Sequence, residues 1–246
     1  MNIFVAIDDT DNAHSPGSGH LTEQLSTQLL RQGLATRCSS VSRHQLYIND
    51  DIPYTSHNSS MCFSAEIREE RYPDLIACSQ DFIAAQSSEG SDPGLCIGSG
   101  ISDISRDLLI DFGRRAKCSV LTKKEAYQTA KRAAVHLSEH GGSGDGVIGA
   151  VAGLGLRLTG NDGRFRGWLE AEAGLTTSVE TLCRHRCVAG VVDDRGRALP
   201  GSTAVMISDR KIKTVLIDYK QVIPVTRIDG EGAGWGTLSA TESRRY

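Results

Sequence analysis

The stretch Ile3–Thr22, IFVAIDDTDNAHSPGSGHLT, decides how the rest of the chain is interpreted. It opens with five consecutive apolar residues, the pattern of a strand covered on both faces of a sheet. The strand ends in three closely spaced carboxylates, those of Asp8, Asp9 and Asp11. Because like charges repel in a partly dry site, such a cluster stays ionised with help from a cation or a donor-rich ligand. We therefore predict a site for a hard divalent cation at these aspartates; the alternative is that they only cap backbone donors at a strand-turn-helix corner.

A glycine-bearing loop and a helix follow the acidic cluster. Gly17 and Gly19 allow backbone N–H groups to turn toward an anion, so we expect them to contact a bound phosphate. Apolar residues then recur at helical spacing from Leu21 to Leu29, and Thr22 lies in the first turn of this helix. The Thr22 hydroxyl would lie near the positive end of the helix dipole and within reach of the carboxylates. Thr22 is accordingly a candidate catalytic residue, and the alternative is an ordinary first-turn threonine.

The composition is that of a globular protein without an extended basic surface. The chain has 246 residues and a formal net charge of -3, so a nucleic-acid surface would have to come from local patches. The seven cysteines include no C-x-x-C motif, and the cluster CRHRC at Cys183–Cys187 lacks a second half-site, so we expect reduced thiols rather than zinc. No signal sequence and no apolar run of membrane-spanning length occurs, so we expect a cytoplasmic protein without a membrane partner.

A second informative stretch is Gly141–Gly146, GGSGDG, followed by the helical sequence VIGAVAGLGL. A glycine loop that delivers N–H groups at a helix N-terminus is a phosphate-binding geometry, and here Gly144, Asp145, Gly146 and Gly149 would contact the ligand. The loop matches neither the P-loop nor the Rossmann fingerprint. The alternative is a glycine-rich connection between two packed helices. The first of these helices opens with a capping box in residues 122–125 and is predicted to run to about residue 140.

The chain is predicted to hold two domains and a tail. Residues 1–158 alternate strands and helices, although residues 42–60 form a long polar segment. This segment is expected to be either a functional loop or a solvated connection. From residue 159 short strands separated by turns surround one short helix, which predicts a small α+β domain over 159–228. Residues 229–246 are rich in glycine, serine and charge and are expected to be a loose tail. The fold class is therefore α/β followed by α+β.

The pairing of IDDTD at Ile7–Asp11 with GDGVIGAVAGLG from Gly144 resembles the archaeal isoleucine-tRNA 2-agmatinylcytidine synthetase (TiaS) family. That family uses ATP to activate a cytidine of tRNA and attaches agmatine to it. The resemblance covers roughly residues 1–156 and implies a kinase-like domain with ATP and Mg²⁺ as cofactors. It aligns Asp8, Asp9 and Asp11 with the family's acidic cluster and Thr22 with its phosphorylated threonine. The glycine motif of the family falls on Gly144, Asp145, Gly146 and Gly149, and residues 159–228 would correspond to a shortened ferredoxin-like, agmatine-binding domain.

The sequence also departs from the family. Thr55 and His57 stand where the family has lysine and arginine, and the family's OB-fold and zinc ribbon have no counterpart in these 246 residues. We therefore expect an ATP- and Mg²⁺-dependent phosphotransferase or ligase whose acceptor is an agmatine-like amine, a nucleoside, another small molecule, or an RNA presented by a partner protein. The alternatives are a non-catalytic nucleotide- or RNA-binding module, because two phosphate-binding cations are missing, and a subunit of a split complex.

Overall fold

A mixed set of strands and helices forms two units, Met1–Thr159 and Gly160–Tyr246. The structure is a computed structural model that describes residues 1–52, 58–228 and 234–246. The two units are described separately below.

The first unit is built on an antiparallel sheet. Its spatial strand order is β6-β5-β1-β4-β3, and β2 pairs with β4 beside β3. The predicted N-terminal strand is central in this sheet, as its apolar sequence requires. The strands are β1 (Asn2–Asp8), β2 (Arg37–Cys38), β3 (Ser42–Gln45), β4 (Ser59–Glu66), β5 (Gly94–Ser99) and β6 (His136–Glu139).

Helices cover both faces of this sheet because β1 is apolar on both. Ile3, Val5 and Ile7 face a core shared with α1 and α2, whereas Ala6 faces the core of α3, α4 and α5. This gives three layers, helix, sheet and helix, and confirms the predicted α/β class for this unit. The helices are α1 (Ser18–Arg31), α2 (Tyr72–Gln86), α3 (Asp103–Arg115), α4 (Lys123–Ala133) and α5 (Gly146–Leu158).

The strand pairing brings distant residues to one edge of the sheet. Asp8, at the end of β1, is opposite Gly94 at the start of β5. Gly94 is in turn opposite Glu139 at the end of β6. Asp8, Gly94 and Glu139 therefore form a row across three neighbouring strands, and the loop that precedes α5 starts beside it.

Helix α5 packs closely against the sheet and against α3 at its glycine positions. A Cβ atom on Gly155 would lie 1.9 Å from the carbonyl oxygen of Leu109, and one on Gly153 would lie 2.2 Å from Oγ of Ser60. Glycine at positions 153 and 155 therefore allows α5 to pack closely against β4 and α3. Nearly every residue of α5 is buried.

The second unit is rich in short strands. Its main sheet has the order β7-β13-β14-β15-β11-β9 with β10 beside β14, and β8 pairs with β12 separately. Its core contains Val191, Val205 and Ile223. The elements are β7 (Arg164–Phe165), β8 (Leu169–Glu170), β9 (Thr176–Ser178), α6 (Val179–Leu182), β10 (Gly190–Val192), β11 (Ala204–Met206), β12 (Lys211–Ile212), β13 (Val215–Ile217), β14 (Lys220–Ile228) and β15 (Gly234–Thr237).

Three sequence-based expectations need correction. Helix α4 ends at Ala133 instead of near residue 140, because Ala134 adopts a left-handed conformation with φ 55° and the chain continues as β6. The expected loop over 42–60 contains β3, which pairs with β4. The expected tail contributes β15, whose backbone pairs with β14 and β11.

The ferredoxin-like arrangement of the second unit stays a prediction. The described α-helix of this unit, α6, spans four residues and is followed by a largely antiparallel set of strands. Among the described residues of the whole chain, no helix is long and apolar enough to cross a membrane.

Candidate functional site

The two motif stretches meet at Asp8, although more than a hundred residues separate them in sequence. The N–H of Gly146 donates to the carbonyl oxygen of Asp92 at 3.1 Å, next to the start of β5. A Cβ on Gly146 would lie 3.2 Å from the carbonyl oxygen of Asp8, and a Cβ on Gly149 would lie 1.5 Å from its carboxylate Oδ2. Glycine at 146 and 149 therefore lets the N-terminus of α5 lie directly against the end of β1.

Asp8 is partly buried and lies in a negatively charged environment. Desolvation raises its pKa well above the usual value, and the charges of Asp9 and Asp11 raise it further. A backbone hydrogen bond from Asp9 lowers the pKa but does not compensate. The ionised form of Asp8 thus needs an additional positive charge.

The ionised form of Asp9 also needs an additional positive charge, and the backbone of Asp9 adopts an unusual conformation. Its φ of 54° is left-handed, a region that aspartate enters more readily than most residues but that still costs energy. Desolvation raises its pKa to about 6, with further contributions from Asp92, Asp11 and Asp145. The negative charge that acts on Asp9 therefore comes from Asp92 and Asp145 as well as from Asp11, and Asp92 was not found from the sequence.

Asp11 has a structural partner. Its Oδ1 accepts hydrogen bonds from the backbone N–H of Ser18 at 2.9 Å and from the Ser18 hydroxyl at 2.6 Å. The Ser18 hydroxyl oxygen in turn accepts the N–H of Thr10 at 3.0 Å. The capping interpretation therefore describes Asp11, whose carboxylate binds the first turn of α1. Gly17 is the N-cap residue of α1, and the buried Gly19 is the second residue of this helix.

Thr22 is fully buried in α1. Its hydroxyl donates to the carbonyl oxygen of Ser18 at 2.7 Å, within the same helix. The contacts described for Thr22 thus lie along α1, and they do not bring its hydroxyl to the carboxylates.

The glycine loop already binds a carboxylate. The N–H of Ser143 donates to Oδ1 of Asp92. Further along the loop, the N–H of Gly144 donates to the carbonyl oxygen of Gly141 at 3.1 Å, and the N–H of Asp145 donates to the Ser143 hydroxyl at 3.2 Å. An aspartate therefore occupies the kind of anion contact that we expected a phosphate to make.

The carboxylate oxygens in this region are ligands of the kind that a hard cation binds, although they do not lie close together. Carboxylate oxygens are the ligands that Mg²⁺ prefers, and raised pKa values mark carboxylates that lack a counter-charge. The Thr10 hydroxyl, between Asp9 and Asp11 in sequence, is buried and has no hydrogen-bond partner among the described residues. Within the same residues, no three side chains of His, Cys, Asp or Glu lie close enough together to hold a metal ion. The metal set at Asp8, Asp9 and Asp11 therefore stays a prediction.

Other expectations are answered in part. All seven cysteines are free thiols. In the CRHRC cluster, Sγ of Cys187 lies 3.1 Å from Nδ1 of His185. Thr55 and His57, where the family has cations, lie outside the described residues. An open concavity of about 650 Å³ lies along α1 and α2, lined by Gln24, Arg31 and others, and the acidic cluster does not line it.

Comparison with solved structures identifies the fold. It is shared with enzymes that act on tRNA, and in particular with TiaS, an agmatidine synthetase of an isoleucine tRNA. In the complex of TiaS with its tRNA and ATP, the match covers 63% of this chain and 36% of the solved chain, with a TM-score of 0.54 and 23% identity. A tRNA fluorescent labeling enzyme matches 63% of this chain and 36% of that chain, with a TM-score of 0.52 and 24% identity.

A further TiaS structure extends the likeness to the second unit. The complex of TiaS with its tRNA, AMPCPP and agmatine matches 96% of this chain and 59% of that chain, with a TM-score of 0.50 and 14% identity. The chain thus spans about a third of the length of the TiaS–tRNA–ATP structure and of the labeling enzyme. It spans under two thirds of the TiaS chain in the complex with AMPCPP and agmatine. No protein-family model matches the sequence, and no curated protein matches it either. The resemblance inferred from the motifs is confirmed at the level of the fold.

Proposed function

We propose that the first unit binds ATP with Mg²⁺ at the sheet edge formed by Asp8 and the loop Gly141–Gly146. The observation that carries the proposal is the direct packing of Gly146 and Gly149 on Asp8, which joins the acidic cluster to the glycine loop. The fold that 63% of this chain shares with a TiaS complex containing tRNA and ATP supports ATP as the nucleotide.

Asp8, Asp9 and Asp11 would hold the metal. When bound, Mg²⁺ neutralises charge that develops on the phosphates during transfer. The raised pKa values of Asp8 and Asp9 support this assignment, because a cation restores the ionised form of both. Asp92 and Asp145 would strengthen the negative field that attracts the cation.

The loop and the start of α5 would hold the phosphates. For this, the Ser143 N–H exchanges the Asp92 carboxylate for a phosphate oxygen. Gly17 and Gly19, at the N-terminus of α1, would contact another part of the same ligand. Of the other residues predicted to contact the ligand, Asp145 is exposed, whereas Gly144, Gly146 and Gly149 are buried, so these glycines would position the loop.

The proposed reaction is phosphoryl transfer or ligation of the TiaS type. In a phosphoryl transfer, an acceptor oxygen forms a bond to the γ-phosphorus, the bond from that phosphorus to the β,γ-bridging oxygen breaks, and ADP leaves. The acceptor proton passes to a carboxylate of the cluster. Thr22 either receives the phosphoryl group or orients the acceptor, and either role requires the first turns of α1 to open because the Thr22 hydroxyl is buried.

We propose an agmatine-like amine, a nucleoside or an RNA as the acceptor class. The support is the likeness of the whole chain to a TiaS complex that contains tRNA and agmatine. A partner protein would present the RNA, because the net charge of -3 offers no extended basic surface.

The second candidate is a module that binds a nucleotide or RNA without turnover. The hydrogen bond from the buried Thr22 hydroxyl to Ser18 favours it, because this arrangement does not expose the hydroxyl to a ligand. In that case the protein would serve a partner, as a subunit of a split complex.

Calorimetry with ATP tests the proposal. Titration with ATP and Mg²⁺ should show saturable binding that EDTA weakens, and Asp9→Asn should weaken it further. Asp107→Asn is the matched control, because Asp107 is exposed on α3 and has the same charge. Hydrolysis or acceptor-dependent turnover separates the enzyme from the binding module. Absence of ATP binding to the wild type contradicts the enzyme and the nucleotide-binding form of the module.

A further inference from the structure

A lysine contacts the glycine loop from the side of α4. Nζ of Lys123 donates to the carbonyl oxygen of Ser143 at 2.7 Å and to Oε2 of Glu139 at 2.5 Å. Ser143 is also the residue whose N–H binds Asp92. The peptide groups around Ser143 therefore contact a cation and an anion, and the cation is supplied from a helix that the sequence patterns did not connect with the site.

The backbone of Lys123 is held in place at the start of α4. Lys123 is the first residue of α4, and Thr122 before it forms a capping box with Glu125. The N–H of Thr122 donates to Oε2 of Glu125 at 3.0 Å, and the N–H of Glu125 donates to Oγ1 of Thr122 at 3.3 Å. The capping box anchors the start of α4, whereas the four-carbon lysine side chain can still redirect its ammonium group.

Gly144 leaves the space that the lysine uses. A Cβ at this position would lie 2.7 Å from Nζ of Lys123 and 1.8 Å from Oε2 of Glu139. The φ of Gly144 is also left-handed, at 76°. Glycine at position 144 is therefore needed for two reasons: it leaves space for the Lys123–Glu139 ion pair, and it permits the left-handed turn.

The ion pair can exchange partners. An ammonium group has three donors, and the recorded contacts of Lys123 among the described residues use two of them. The side chains of Lys123 and Glu139 are 33% and 37% exposed, so a ligand can reach them. The Tyr127 hydroxyl also donates to Glu139, to Oε1 at 2.6 Å, and this bond would hold the carboxylate when the lysine leaves.

We propose that Lys123 is the phosphate-binding cation of the candidate site. This inference rests on the proposed function, because the ligand it requires is the triphosphate of ATP. On binding, the Lys123 ammonium exchanges Glu139 for a phosphate oxygen and keeps its contact with Ser143, which closes the loop on the phosphates. The lysine thereby supplies positive charge of the kind that the family has where this sequence has Thr55 and His57.

The test compares Lys123→Met with Lys124→Met by calorimetry in the presence of Mg²⁺. Lys124 is the matched control, because it is the next residue of α4 and is exposed. Lys123→Met should weaken ATP binding by about tenfold or more, the scale of a lost charge-assisted contact. Binding of adenosine should change by less than about twofold, because adenosine has no phosphate. Lys124→Met should bind ATP as the wild type does.

The variant Glu139→Gln distinguishes a role of Lys123 in ligand binding from a purely structural role of Lys123. If Lys123 exchanges partners, removing the competing charge should strengthen ATP binding several-fold. If Lys123 only braces the loop, Glu139→Gln should weaken ATP binding or leave it unchanged. Thermal melting of each variant establishes that it is folded, and Lys123→Arg should retain more affinity than Lys123→Met.

Two further outcomes would overturn the inference, and they are distinguishable from each other. If the wild type binds ATP and a folded Lys123→Met variant binds it equally well, the role of Lys123 is wrong and the proposed function stands. If the wild type does not bind ATP, the proposed function fails together with the inference.

Discussion

A Cβ atom on Gly149 would lie 1.5 Å from Oδ2 of Asp8, so helix α5 reaches the end of strand β1 because residue 149 has no side chain. This contact joins the two motifs of the sequence. The same region holds carboxylates with raised pKa values, which connects the packing of the fold with the proposed binding of a cation and a nucleotide.

Gly149→Ala should destabilise the protein and abolish binding of ATP. The added methyl group forces the Asp8 carboxylate or the start of α5 to move, and overpacking of this kind costs about 1–3 kcal/mol. Denaturant unfolding measures the loss in free energy. Gly190→Ala is the control, because a Cβ on Gly190 would meet no atom within 4 Å and should leave stability nearly unchanged. Equal stability of the Gly149→Ala variant and the wild type would contradict the packing argument.

The stability of the protein should depend on the ionisation of Asp9. Its folded-state pKa is raised from 3.8 to about 6, so the folded protein binds more protons than the unfolded chain between these values. Ionised Asp9 therefore costs stability above pH 6, and this cost should disappear as the pH falls through 6 toward 4. Asp8 acts in the same direction.

Thermal melting from pH 7.5 to 4.5 measures this dependence in the wild type and in Asp9→Asn. Subtracting the two curves removes the groups that they share. The difference should favour Asn at high pH and shrink on acidification, and Mg²⁺ should reduce it because the cation stabilises the ionised aspartate. A difference that stays constant over this pH range, with and without Mg²⁺, would show that neither burial nor the charges of Asp92, Asp11 and Asp145 raise the pKa of Asp9.

Thr22→Val should abolish transfer of phosphate to the protein if Thr22 is the acceptor. Valine keeps the shape of threonine but removes the hydroxyl, and the assay is incorporation of label from γ-labelled ATP. Thr27→Val is the matched control, because the Thr27 hydroxyl donates to the carbonyl oxygen of Glu23 in the same helix at 2.9 Å and is exposed. Equal labelling of Thr22→Val and the wild type would exclude Thr22 as the phosphorylated residue.

Asp92→Asn should change the field at the site without releasing the glycine loop. Asparagine keeps an oxygen that can accept the Ser143 N–H, but it removes one of the charges that raise the pKa of Asp9. The pH dependence attributed to Asp9 should therefore shift to lower pH, which melting curves of the Asp92→Asn variant measure. An unchanged midpoint would mean that Asp92 and Asp9 do not interact.

The local features of the site were predictable from the sequence. The apolar run before Asp8 predicts a central strand, and the capping box of Thr122 and Glu125 predicts the start of α4; both are confirmed. These patterns depend on residues within one element. The end of α4 was not predictable in the same way, because alanine at position 134 carries no signal for its left-handed conformation.

The long-range features were not predictable. The charge of Asp92 acts on Asp9 because β5 pairs with β1, and Lys123 contacts Glu139 because β6 ends where α4 begins. In sequence, Asp92 lies in an ordinary serine- and glycine-rich linker, and Lys123 is one of several basic residues on a helix pair. The roles of Asp92 and Lys123 therefore depend on how the strands pair and could not be predicted from the sequence.

The most direct test of the central claim is a crystal structure of the protein with AMPCPP and Mn²⁺, with Mn²⁺ replacing Mg²⁺ as an anomalous scatterer. The account predicts an Mn²⁺ peak on the carboxylates of Asp8, Asp9 and Asp11, with the triphosphate between them and the loop Gly141–Gly146. A triphosphate bound elsewhere, such as the concavity along α1 and α2, with no metal at the three aspartates, would contradict it.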